Sequence, residues 1–160
     1  MKMQRTPNSL NLQITGSIGE NSPFYTVPLG GLKEIVMDLA GVTSINSIGI
    51  KNWILWTLRI PKDCEVKLIN CPFVIATQAS MVVGFAPPNM KLESINMPFV
   101  CETCGAEQIL LVNRGREYEY ASGDTPAKIA LPEGLPCPKC KDQLMEPDFL
   151  LEKTFKFLSM

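Results

Sequence analysis

The chain has 160 residues, of which 46 % are hydrophobic, and this is enough to bury an ordinary core, so a disordered protein is excluded. The formal net charge is −1, which excludes a global field that would draw the protein to nucleic acid or to an acidic membrane surface. Residues 1–16 contain no apolar run of signal-peptide length, and no later run of about 18 apolar residues could span a bilayer. These features predict a cytoplasmic protein that is not inserted in a membrane.

The hydrophobic pattern of the first hundred residues predicts alternating strands and helices. Residues 10–15 alternate apolar and polar side chains, as a half-buried strand does, whereas prolines and glycines interrupt residues 20–33. The predicted elements are, in chain order, a strand at 10–15, a loop with a short extended piece at 20–33, a strand at 34–39 that ends at Gly41, a helix at 48–60, a strand at 65–70, a helix at 73–85 and an extended segment at 92–100. This order favours an α/β fold in which helices pack on a sheet.

Four of the six cysteines form two CxxC pairs, Cys101 with Cys104 and Cys137 with Cys140. Two residues between the thiols let one tight turn direct both sulfurs at a single ion, and two such turns complete a tetrahedron. Gly105 suits the sharp bend after the first pair. The sequence therefore predicts one zinc ion per chain in a zinc ribbon, a small β module. Four thiolates leave no open coordination position, so the ion is expected to be structural rather than catalytic.

Three alternatives remain for this part of the chain. Iron accepts the same four thiolates. A redox protein would use a CxxC pair directly, but such pairs act at the start of a helix, and no helix signal follows either pair here. Nucleic-acid binding is disfavoured because residues 101–160 hold seven Lys or Arg and ten Asp or Glu, a formal charge of −3.

The composition changes near residue 100, which predicts two domains, 1–100 and 101–160, without a flexible linker. In the second domain, residues 108–113 are predicted as a strand and residues 123–136 as a loop. The C-terminal tail, 148–158, is predicted to dock onto one of the domains because Leu151, Phe155 and Leu158 recur at helical spacing.

The run from Ile35 to Gly49, Ile-Val-Met-Asp-Leu-Ala-Gly-Val-Thr-Ser-Ile-Asn-Ser-Ile-Gly, resembles the central signature of STAS domains. This is the fold of bacterial anti-sigma-factor antagonists and of the cytoplasmic domains of sulfate transporters. The resemblance extends over residues 8–100. It implies a STAS-like mixed sheet with helices packed on it, in a bacterial signalling protein that binds another protein, such as a switch kinase or a transport complex.

The same resemblance implies a regulatory loop formed by Ser44, Asn46, Ser47 and Gly49. In the antagonists a partner kinase phosphorylates a serine between an aspartate and the next helix, and Ser47 occupies the matching position; the family's aspartate is Asn46 here. A phosphate at this helix start would change the local charge by nearly two units. The alternative is that Ser47 only caps the helix.

Histidine is absent, which removes the usual general base at neutral pH, and no set of nucleophile, base and oxyanion donor is recognisable, so the chain is predicted not to be an enzyme. Trp53 and Trp56 are predicted to pack in the core, on a helix apolar enough to be covered on both sides by the sheet and by the ribbon, the tail or a second subunit in a homo-oligomer. Cys64 and Cys71 are interpreted as buried apolar residues. The sequence thus predicts a non-catalytic adaptor that recognises a protein.

Overall fold

The computed structural model describes residues 1–160 and has a mixed α/β fold with three α-helices. Two short 3-10 turns lie at Pro23–Thr26 and Lys156–Ser159. The strands and helices are, in chain order, β1 (Lys2–Arg5), β2 (Ser9–Ile18), β3 (Glu34–Ile45), α1 (Ser47–Thr57), β4 (Glu65–Ile69), β5 (Cys71–Pro72), α2 (Phe73–Met81), β6 (Met90–Leu92), β7 (Ser94–Val100), β8 (Glu107–Asn113), β9 (Tyr118–Glu119), β10 (Lys128–Ile129), β11 (Leu135–Pro136), β12 (Leu144–Pro147) and α3 (Leu151–Thr154).

The first sheet is mixed and has the strand order β1-β2-β3-β4-β6. β1, which the pattern did not predict, pairs antiparallel with β2, and the remaining neighbours pair in parallel. Parallel neighbours require a crossover, and α1 supplies the one between β3 and β4. The predicted strands and helices of this region are present. The expectation that Gly41 ends the strand is wrong, because β3 continues to Ile45 and Gly41 only lets the β2 side chain of Thr15 approach closely.

The second sheet is built around β7. This strand pairs antiparallel with β8 and β12 and in parallel with β5, while β11 pairs with β12. The extended segment predicted at 92–100 therefore divides between two sheets, with β6 in one and β7 in the other. The boundary predicted near residue 100 falls within the β7–β8 hairpin, and a single core of buried residues contains both Leu10 and Cys137. The division into two domains stays a prediction.

The core beneath α1 is aromatic. Trp53 and Trp56 are buried, as predicted, and Phe24 from the first 3-10 turn meets both rings edge-on at centroid distances of 5.7 and 5.3 Å. Phe85 stacks on Trp53 at 5.0 Å. Residues 20–33, with their helix breakers, thus form a turn that covers the inner face of α1.

The C-terminal tail docks, as predicted, and does so with two of the three residues that helical spacing indicated. Phe155 and Leu158 are buried together with Phe157, whereas Leu151 is 40 % exposed. α3 is a single short turn, so the chain does not keep a helical period long enough to bury Leu151. Ser80 on α2 donates a hydrogen bond to the carbonyl oxygen of Thr154 and fixes the tail there. No helix in the structure combines the length and the apolar character that crossing a membrane requires.

Candidate metal centre

Each CxxC pair lies in the turn of a hairpin. Cys101 directly follows β7 and Cys104 precedes β8, while Cys137 directly follows β11 and Cys140 precedes β12. The two hairpins share a sheet because β12 pairs with β7. Sheet pairing therefore brings together two turns that are more than thirty residues apart in the chain, as the sequence predicted.

The four sulfur atoms lie in one cluster, within 4.8 Å of one another. The Sγ atoms of Cys101 and Cys140 are 3.9 Å apart, and those of Cys104 and Cys137 are 3.6 Å apart. Thiolates bound tetrahedrally at a metal–sulfur distance of about 2.3 Å lie about 3.8 Å from one another. The separations in this cluster agree with that geometry, so the four cysteines could hold a metal ion.

The two turns have the same backbone design. In the first, the amide of Gly105 donates to the carbonyl oxygen of Cys101 at 2.8 Å, and in the second, the amide of Lys141 donates to that of Cys137 at 3.1 Å. Gly105 and Lys141 have φ angles of +70° and +50°. The left-handed conformation closes each turn tightly around its sulfur pair. Gly105 was expected at such a bend; Lys141 was not, because a lysine carries no signal for a positive φ.

The electrostatics of the metal-free thiols favour a bound cation. The backbone amides of Cys104 and Thr103 donate hydrogen bonds that lower the pKa of Cys101 to about 7. Hydrogen bonding to the sulfur of Cys104 and burial raise the pKa of Cys140 to about 12. Sulfurs this close cannot all ionise unless a positive charge compensates them, and a divalent metal ion supplies that charge.

The four cysteines of the cluster differ in their exposure to solvent. Cys101 and Cys137 are buried, Cys140 is half-buried and Cys104 is exposed. An ion bound by all four thiolates would have no position left for water or a substrate. Cys64 and Cys71 lie outside the cluster; both are buried, and burial raises the pKa of both thiols, as expected for inert core cysteines.

The four residues that were predicted to form a regulatory loop lie where β3 ends and α1 begins, and they have different roles. Asn46, and not Ser47, is the N-cap: its Oδ1 accepts a hydrogen bond from the amide of Gly49 at 2.8 Å. The alternative in which Ser47 caps the helix is therefore wrong, because Asn46 already occupies the cap. Ser47 is the first residue of α1, is exposed, and makes no side-chain hydrogen bond within the protein. Its hydroxyl is free to react or to bind.

The other two of these residues, Ser44 and Gly49, contact β2. Ser44 shares a hydrogen bond of 2.7 Å with Ser17 on the neighbouring strand. Gly49 is buried, and a Cβ atom there would overlap the carbonyl oxygen of Ile18 and lie 2.9 Å from its carbonyl carbon. A glycine at this position lets α1 start in direct contact with the end of β2.

The outer face of α1 carries a row of exposed apolar side chains. Ile48, Leu55 and Leu58 are 51, 52 and 76 % exposed. Together with the exposed Lys51 they lie at i, i+3, i+7 and i+10, which is one face of a helix. The sequence indicated a helix apolar on both sides, but neither the four-cysteine region nor the tail covers this face; the tail contacts α2 instead.

Comparison of the chain with protein-family models, with curated proteins and with solved structures returned no match. The fold and the cysteine cluster are therefore the basis for assigning a function.

Proposed function

We propose that this protein is a non-catalytic, cytoplasmic adaptor of the STAS-like type, which binds a protein partner through the outer face of α1 and carries a structural zinc ion in a ribbon-like module. The exposed row Ile48, Leu55 and Leu58 carries this proposal. Helix-in-groove recognition uses apolar anchors at this spacing. An isolated exposed leucine is ordinary, but an aligned row on one helix is a feature of interaction sites.

The charges around the row define the chemistry of the partner. Lys51 lies within the row and Arg59 just beyond it, and both are exposed. No acidic side chain belongs to α1, although Glu20 lies beside Leu55 and Arg59, away from Lys51. A partner that offers an apolar groove with acidic residues at its rim would match this surface in shape and in charge.

Ser47 is suited to regulate that binding because it lies at the first turn of α1, next to Ile48. Since Asn46 caps the helix, the hydroxyl of Ser47 can be modified without loss of the cap. A phosphate there would add about −1.5 to −2 charges at the positive end of the helix dipole, so the fold would tolerate it. The same charge would repel an acidic partner and release it.

The STAS-like assignment is supported by the layout of the first sheet, in which an antiparallel edge strand precedes parallel strands joined through helices. The assignment of zinc is supported by the four-thiolate set and the sulfur separations. Both CxxC turns lead into strands, whereas a redox CxxC pair acts at the start of a helix.

The test is site-specific photo-crosslinking from position 55 in the cells that make the protein. We expect one major partner, lost in Leu58→Lys and weakened in Ser47→Asp but retained in Ser47→Ala. Leu150→Lys is the matched control, because Leu150 is 64 % exposed and lies on the tail. Crosslinking that is unaffected by Leu58→Lys, or reduced equally by Leu150→Lys, would overturn the proposal.

The metal is tested separately. Elemental analysis of protein purified without chelators or added metal should find one zinc per chain. Iron in its place would contradict the assigned metal but leave the α1 surface untouched. Absence of both metals, with four reactive thiols, would overturn the structural site itself.

A further inference from the structure

β8 forms an edge of the second sheet, because β7 is the strand that pairs with it and no strand pairs on its other side. The direction of its backbone groups follows from the hydrogen bonds at its two ends. The amide of Cys101 donates to the carbonyl of Ala106, and the amide of Arg114 donates to that of Glu93. Hydrogen-bonded pairs alternate along an antiparallel ladder, so the even-numbered residues of β8 bond to β7.

The odd-numbered residues of β8 therefore direct their amides and carbonyls outward. Two further contacts agree with this alternation. Pro98, which has no amide and lies opposite Ile109, directs its carbonyl away from β8 and accepts from Asp148. Asn113, at the end of β8, directs its amide outward to the side chain of Glu117. Glu107, Ile109 and Leu111 are left with backbone groups that no strand pairs.

The edges of the first sheet are protected, and the other edge strands of the second sheet, β5 and β11, have only two residues each, whereas β8 is long and open. β6 is closed at Leu92, whose amide donates to the hydroxyl of Tyr120 and whose carbonyl accepts from the hydroxyl of Tyr118. β1 has four residues, two of them the exposed cations Lys2 and Arg5. β8 has seven residues without lysine, proline or a register shift. Short length, charge, bulges and capping are the devices that keep edges from pairing; β8 has one charge, Glu107 at its first position, and its middle residues, 108–112, have none of these devices.

β8 exposes two polar side chains at its start, Glu107 and Gln108, and two apolar ones in its middle. Ile109 and Leu111 are 59 and 43 % exposed, on the face opposite the buried Val112. An apolar edge strand with free backbone groups is a site for strand addition. Its occupant must present an extended segment that is apolar at the same alternate positions.

We propose that two copies of this chain associate by antiparallel pairing of their β8 strands. The strand is complementary to itself about a two-fold axis at Leu110. In that register Ile109 faces Leu111 of the partner subunit, so two apolar side chains are in contact. The amides and carbonyls of these two residues, which have no strand partner within one chain, would form hydrogen bonds with each other. Glu107 faces Asn113 of the partner subunit, so no like charges are opposed.

The symmetry also matches the backbone directions. In this register odd-numbered residues face odd-numbered ones, and Ile109 and Leu111 are the facing residues whose amides and carbonyls point outward without a partner. Dimerisation would join the two second sheets into one. It does not depend on the function proposed for α1.

The test is a sedimentation experiment on the full, metal-loaded chain in a concentration series up to about 100 µM. We expect twice the mass of one chain, and a dissociation constant raised at least about tenfold in Ile109→Lys, because two-fold symmetry introduces the lysine twice. Leu150→Lys is the matched control: Leu150 is exposed to a similar degree, on the tail, and the dimer should persist.

Hydrogen exchange followed by nuclear magnetic resonance gives a second measure that a misfolded variant cannot imitate. In the dimer, the amides of Ile109 and Leu111 should be protected, and in Ile109→Lys the amide of Leu111 should lose protection while those of Leu110 and Val112 keep it. A monomer at every concentration would overturn the proposal. So would a dimer insensitive to Ile109→Lys, or a monomer that binds an extended peptide of another protein at β8.

Discussion

Trp53 and Trp56 lie against each other on α1, with ring centroids 5.6 Å apart, yet only one of them has a hydrogen-bond partner. Nε1 of Trp53 donates to the carbonyl oxygen of Phe85 at 2.8 Å, whereas Nε1 of Trp56 is buried without any acceptor. The two tryptophans are equally buried on the same helix, but only Trp53 forms a buried hydrogen bond.

This difference predicts unequal costs for the same substitution. Trp53→Phe leaves the carbonyl of Phe85 without its donor, while Trp56→Phe removes a donor that had no acceptor. We expect Trp53→Phe to lower the free energy of unfolding by about 1–3 kcal/mol more than Trp56→Phe. Urea denaturation of the two variants measures this difference in the free energy of unfolding. Equal losses would mean that Trp56 has a partner, such as a buried water.

The contact between Gly49 and Ile18 predicts that a single methyl group destabilises the start of α1. In Gly49→Ala the new Cβ would lie on the backbone of Ile18, which cannot move aside like a side chain. We expect a loss of about 1–3 kcal/mol in the free energy of unfolding. Gly30→Ala is the control, since its Cβ meets nothing within 4 Å. A loss as large in the control would point to backbone effects rather than overlap.

The matched conformations of Gly105 and Lys141 predict opposite effects of substitution in the two cysteine turns. A Cβ at Gly105 meets nothing within 4 Å, so Gly105→Ala tests only its φ of +70°. We expect Gly105→Ala to destabilise by about 1–2 kcal/mol and Lys141→Gly to be neutral or stabilising by up to about 1 kcal/mol. Thermal unfolding of the metal-loaded variants measures both. Destabilisation by Lys141→Gly would contradict the left-handed assignment there.

The three tyrosines predict how stability depends on alkaline pH. Burial raises the pKa of Tyr25 to about 12, and it raises the pKa values of Tyr118 and Tyr120 well above their ordinary range. An unfolded tyrosine titrates near pH 10. The neutral hydroxyls therefore stabilise the fold fully below about pH 10, and this contribution is lost as pH rises toward the folded pKa values.

The measurement is the ultraviolet absorbance of tyrosinate during an alkaline titration, followed together with circular dichroism. We expect no tyrosinate step near pH 10 while the protein is folded, and a joint transition at higher pH. In Tyr120→Phe the fall of unfolding free energy with pH should be shallower, because one titrating group is removed. Tyrosinate formed near pH 10 in the folded protein would contradict the burial of these hydroxyls.

The cysteine cluster predicts a specific effect of metal removal. With a chelator, the four thiols lose the compensating cation, and the binding free energy that holds the two hairpins together is lost with it. We expect faster alkylation of Cys101, Cys104, Cys137 and Cys140 and a lower unfolding temperature. Cys101→Ser should lose metal, while Cys64→Ala, in a buried thiol outside the cluster, should retain it. Equal metal loss in both would indicate general unfolding.

The features that sequence analysis predicted correctly are mostly local ones, and the exception is the cysteine cluster, whose two local turns are joined by the pairing of β12 with β7. The strand at 10–15 follows from the alternation of side chains, the helix at 48–60 from its apolar face, and the cysteine cluster from the CxxC spacing. A tight turn places two sulfurs side by side through the geometry of a few consecutive residues, so pattern alone determines it.

The tertiary structure decided what depends on neighbours distant in the chain. Both Asn46 and Ser47 are able to cap α1, and the path of the chain out of β3 selected Asn46. The sequence predicted that both sides of α1 are covered, but within the chain only the inner side is, where the aromatic residues Phe24 and Phe85 pack on it. The same holds for β8, whose sequence predicts a strand but whose free edge exists only because β7 already has β12 and β5 on its other side. Short-range steric contacts determine each turn, helix and strand. Which face of a helix is buried and which edge of a strand is paired depend on the neighbours that the rest of the fold supplies.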